Sequence, residues 1–106
     1  ENMGWAVQVG EWERDITFNF SPLFRSMIAG GLNQLRGVTA DEAATIIWHG
    51  FRSVSSTDEE GNHEIILTGS GPLVRGQNTV EEGLNALTEL WQACIEARAG
   101  DEVMVF

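Results

Sequence analysis

Trp5-Ala6-Val7-Gln8-Val9 and Ile16-Thr17-Phe18-Asn19-Phe20-Ser21-Pro22 are the stretches on which the fold turns. The first puts Trp5, Val7 and Val9 on one face, and the second puts Ile16, Phe18 and Phe20 on one face. Alternation of this length predicts two half-buried strands. Gly10 to Asp15, polar except for Trp12, lies between them and predicts a hairpin with a charged tip. Its carboxylates would also guard an exposed sheet edge against pairing with other chains. Ser21-Pro22 predicts a helix start, with Ser21 as N-cap and Pro22 at the first helical position.

Outward from this corner the pattern turns helical. Leu23, Phe24, Met27 and Ile28 form an apolar stripe that Gly30-Gly31 should end, and Leu32 and Leu35 predict a short turn. Thr39 with Glu42, and Thr79 with Glu82, have the spacing of capping boxes. The first opens a helix carrying Ala43, Ile47, Phe51 and Val54. The second opens a helix over about 80–99, with Val80, Leu84, Leu87, Trp91, Cys94 and Arg98 on one stripe. Between these helices, 53–62 reads as an acidic loop, 63–68 as a strand and 69–78 as irregular chain. Val103 to Phe106 predicts a last strand buried on both faces or paired inside the sheet. The expectation is one α+β domain over 1–106, in the order β-β-α-α-β-α-β, with helices on one face of a small antiparallel or mixed sheet. Glu1-Asn2 reads as a remnant ahead of a natural start at Met3.

Charge narrows the function classes. Six Arg and no Lys oppose sixteen Asp and Glu, so the formal net charge is −10. A strongly negative field argues against a direct contact with a nucleic acid backbone. The chain is 42% apolar, too much for a disordered acidic tail, so the charge sits on a folded surface. No apolar run approaches the roughly 18 residues of a membrane span. The single Cys fits a reducing cytoplasm and leaves no multi-Cys metal site, so no metal or cofactor is expected.

Candidate sites are few. Trp12, flanked by Glu11, Glu13 and Asp15, is an aromatic anchor for a basic partner, and Trp48 also falls outside the apolar stripes. Asn19 and Arg25 could line a small polar pocket, and Arg75, beside a glycine-rich segment, could meet a phosphate or carboxylate. His49, His63 and Cys94 show no nucleophile–base pairing, so no enzyme is expected.

Thr17-Phe18-Asn19-Phe20-Ser21-Pro22-Leu23-Phe24, then Gly31-Leu32-x-x-Leu35-x-Gly37-x-Thr39, then Ala93-Cys94 and the apolar end, resemble a group of small actinobacterial and actinophage proteins. Those proteins tend to carry an Asn-Gly-Trp-Gly-like segment where this chain has Gly71 to Asn78. The resemblance implies a phage or mobile-element setting and brings no assigned chemistry. Together these readings give a non-enzymatic phage accessory protein that binds and neutralises a host component, such as a defence protein. The alternatives are a binder that sequesters a nucleotide-type signal, an immunity protein and a weak hydrolase. Partners would be a host protein or a nucleotide-like small molecule, with room for a homo-oligomer.

Overall fold

The computed structural model describes residues 3–57, 59–61, 63–65 and 72–106. The chain runs through β1 (Gly4–Val9), β2 (Trp12–Thr17), a 3-10 turn (Phe18–Phe20), α1 (Ser21–Met27) and a second 3-10 turn (Gly31–Leu35). Then come α2 (Ala40–Ser53), β3 (Ser55–Thr57), β4 (His63–Ile65), α3 (Val80–Glu96) and β5 (Val103–Val105). The architecture is α+β.

β1 is the middle of a three-stranded antiparallel sheet ordered β2-β1-β5. β1 and β2 form a hairpin in which Val9 faces Trp12 and Trp5 faces Ile16. Only Gly10 and Glu11 lie between the strands. Gly10 takes φ +56° and Glu11 does not go positive, the pattern of a primed turn with Gly first. Trp12 is therefore the first residue of a strand and not part of a broad tip. The expected second strand also ends early. Thr17 is its last residue, and Phe18–Phe20 coil into a 3-10 turn. The Thr17 side chain caps that turn, accepting from the Asn19 N–H at 3.3 Å. This replaces the expected Ser21 cap: Ser21 is already helical, and its N–H donates to the Phe18 carbonyl.

Trp5, Val7 and Val9 on β1 face the same side as Ile16 on β2 and Val103 and Val105 on β5, and all are buried. The core beneath them holds Leu23 and Phe24 of α1, Ile47 of α2, and Leu87, Leu90 and Cys94 of α3. Burying one such Leu stabilises the fold by roughly 1.5–3 kcal/mol. Gly83 lets α3 come close to α1, since a β-carbon there would run into Leu23 and Phe20. The other sheet face is open, with Gln8, Glu13, Asp15 and Met104 exposed.

Three further expectations change. β5 is the last strand in the sheet order, with regular alternation and not burial on both faces, and Met104 and Phe106 are exposed. The 53–62 stretch holds a short strand, β3, which pairs with β4 in a separate two-stranded sheet. α3 stops at Glu96, and the chain is extended at Ala97, so Arg98 is beyond the helix. There the Arg98 N–H donates to Asp101 Oδ2 at 3.1 Å and the Asp101 N–H returns to the Arg98 carbonyl, a local turn that competes with another helical turn. The expected strand continuation at 66–68 and the glycine-rich start at 69–71 lie outside the described residues.

Candidate functional site

Between the β1–β2 hairpin and the C-terminal half of α3 lies an open groove of about 720 Å³. Strand alternation sends Trp12 and Arg14 to the helix side of the sheet, where Trp12 is half-buried and packs against the core. Facing them are Glu89, Gln92, Ala93 and Glu96, whose i, i+3, i+4, i+7 spacing sets one stripe of α3 along the groove. Glu11, Glu13 and Asp101 complete an acidic rim, so five acidic residues border the groove against two Arg, Arg14 and Arg98. Arg14 forms an ion pair with Glu89 across the cleft, which leaves the rim negative. An aromatic floor with negative walls suits a cationic side chain, by charge and by cation–π attraction to Trp12.

The structure brings Trp12, Glu11 and Glu13 together here, as their neighbourhood in sequence suggests. Asp15 is not among the groove residues; it lies two residues farther along β2 than Glu13, which shares its open face of the sheet but borders the groove. Trp48 is elsewhere: it is 50% exposed on α2 and stacks on Trp91 of α3, ring centroids 5.9 Å apart. Such a pair closes the outer seam of α2 and α3. The α3 acids that make the groove, Glu89 and Glu96, lie off the apolar stripe of that helix, so the stripe alone does not point to them. The spacing of 89, 92, 93 and 96 was the available signal.

The three expected ligand residues are split. Arg25 lines a second pocket, of about 410 Å³, with Trp5, Phe18, Gly31 and Asn33. Trp5 and Phe18 meet edge to face at 4.8 Å, Trp5 Nε1 donates to Asn33 Oδ1 at 3.2 Å, and Arg25 Nε donates to the Ser21 carbonyl at 3.4 Å. None of the residues lining this pocket is acidic. Asn19 is not among them. Its side-chain amide donates to Asn78 Oδ1 at 2.8 Å, and its carbonyl accepts from the Arg75 N–H at 3.0 Å. Asn19 thus ties the 72–79 segment to the 3-10 turn, while Arg25 lines the pocket beside Trp5 and Phe18.

Cys94 is fully buried, and burial pushes its thiol up to about 11. That is the setting of a packing residue and not of a nucleophile. Among the described residues no group of three or more His, Cys, Asp or Glu is arranged to hold a metal ion, and no helix is long and apolar enough to cross a membrane. His49 is exposed on α2. Comparison of the chain with family models, curated proteins and solved structures gives no match.

Proposed function

We propose that this chain is a non-enzymatic binding protein of phage type, which takes a basic segment of a host protein into the Trp12 groove and so neutralises that protein. The observation that carries the reading is the union, in one cleft, of Trp12 with acids from two distant parts of the chain, the hairpin and α3. A half-buried Trp with a charged rim is a suitable anchor for an interface. The overall charge of −10 would steer a basic partner toward it and speed association. The phage and host setting rests on the sequence resemblance alone.

The test is a titration with a short Lys/Arg peptide followed by tryptophan fluorescence. Saturable binding should weaken tenfold or more in Trp12→Ala, weaken with added salt, and persist in Trp48→Ala. Equal binding by the Trp12 and Trp48 variants would remove the groove from the reading.

A second reading is favoured by the Arg25 pocket. Two aromatic rings, one guanidinium and no acidic lining suit a planar ring that carries an anionic group, as in a nucleotide-type signal. A panel of nucleotides in a thermal-shift assay tests it: a rise in Tm that is lost in Arg25→Gln supports a ligand, and no shift at saturating concentration excludes it.

A further inference from the structure

Beside the groove, the sheet ends on an unpaired strand. In β1 the backbone groups of Ala6 face β5, since Ala6 and Phe106 exchange both hydrogen bonds, at 3.1 and 2.9 Å. Alternation then turns Val7 toward β2, where it faces Arg14, and turns the N–H and C=O groups of Glu13 and Asp15 outward. β2 is an outer strand, and among the described residues none pairs with those outward groups. They are donors and acceptors at strand spacing, on the strand that also supplies Trp12 to the groove.

We propose that the partner segment binds as an added β-strand on β2, with its backbone paired to Glu13 and Asp15. This rests on the groove being the docking site, and specifies how a basic segment is held there. Main-chain pairing supplies affinity in this mode, and alternate side chains supply specificity. One alternate set of the added residues would lie on the open sheet face, next to the carboxylates of Glu13 and Asp15, and selects Lys or Arg. The other set would point to the groove side, beside Trp12 and its acidic rim, where a cationic side chain or a flat apolar one fits. A second copy of this chain is a poor occupant: two β2 edges side by side would set carboxylates against carboxylates, and like charges across strands are destabilising. The acids that guard the edge against self-pairing are thus the feature that selects a basic strand.

The probe is a capped seven-residue peptide of alternating Lys and Val, with two N-methylated versions, one methylated at every Lys and one at every Val. Strand addition uses the N–H groups of only one alternate set. One methylated version should therefore lose binding tenfold or more while the other binds within about threefold of the parent. In the complex, amide exchange at Glu13 and Asp15 should slow at least tenfold. The double variant Glu13→Gln, Asp15→Asn should weaken binding without unfolding the chain, since both side chains are exposed. If all three peptides bind alike and the two amides exchange unchanged, strand addition is overturned while the groove reading stands. If none of the peptides binds, and no other Lys/Arg peptide does, both fall.

Discussion

The two edges of the three-stranded sheet flank the same central strand, and the chain treats them differently. Outside β5, the Gly37 N–H donates to the Val103 carbonyl and the Val103 N–H donates to the Val38 carbonyl, both at 2.8 Å. Arg36 Nε reaches the Val105 carbonyl, also at 2.8 Å. The 36–38 segment thus works as a cover strand, so β5 keeps exposed apolar residues, Met104 and Phe106, on a closed edge. Outside β2 there is no such cover among the described residues, and the strand carries Glu13 and Asp15. One edge is closed by backbone and the other is guarded by charge. Closing an edge with chain makes it structural. Leaving it open with charge leaves donors and acceptors for something else.

Proline separates the two most strongly. Val103→Pro removes an N–H that the fold uses, orphans the Val38 carbonyl and disturbs a fully buried side chain, and should cost about 2–4 kcal/mol. Asp15→Pro removes an N–H that points to solvent on an edge strand, where Pro is tolerated, and should cost less than about 1 kcal/mol. Urea denaturation of the pair is the measurement. Similar losses in both would mean that the β2 edge is covered after all.

This asymmetry was only half legible in the sequence. Trp5, Val7 and Val9 announced β1 because nothing on their face is polar. β2 was displaced by several residues because Arg14 occupies a core-side position between Trp12 and Ile16. A charged residue there breaks the period-2 pattern unless its partner, Glu89, is known, and Glu89 is far along the chain. Phe18-Asn19-Phe20 imitated the lost alternation, although a 3-10 turn also separates residues two apart. The cover of β5 was invisible for another reason: Gly37 and Val38 act through backbone groups, which side-chain patterns do not report. The capping boxes were the most local signals. The one at Thr79 and Glu82 forms both of its bonds, at 3.2 and 2.9 Å. At Thr39 the side chain accepts from the Glu42 N–H at 3.4 Å.

α3 carries the contrast within one helix, since Ala93 lines the open groove while Cys94, the next residue, is in the closed core. The thiol reports on this through pH. Burial disfavours the thiolate, so the folded chain holds the proton up to about 11, whereas an unfolded chain releases it near the ordinary value of 9.0. Above that value the unfolded state gains by ionising and the folded state does not. Stability is therefore full below about pH 9 and falls as pH rises to about 11, by up to about 2–3 kcal/mol. With no Lys and no Tyr, this chain has no other side chain that ordinarily titrates in that window. Denaturant midpoints at pH 8 and pH 10.5 should drop for the parent and stay level for Cys94→Ala. The thiol should also resist alkylation at pH 8 in the folded chain, whereas Ala93→Cys in a Cys94→Ala background should react readily.

The smallest effect is also the most discriminating, because it compares two Arg residues with opposite duties. Arg36 donates from Nε to a backbone carbonyl on the closed edge, a charge-assisted bond at a partly buried site. Truncation to Ala leaves the Val105 carbonyl without that donor and should cost about 1–2 kcal/mol. Arg14 meets Glu89 across the open groove, where both side chains remain substantially exposed, so solvent screens the pair. Arg14→Ala should change stability by less than about 0.5 kcal/mol. Its effect should appear in binding instead, because removing a guanidinium frees Glu89 and makes the groove more negative. A Lys/Arg peptide should then bind Arg14→Ala more tightly than the parent, and the gain should vanish in high salt. If Arg14→Ala were the more destabilising of the two and left binding unchanged, the groove would be a structural seam like the other edge, and the division between closed and open edges would fail at its open end.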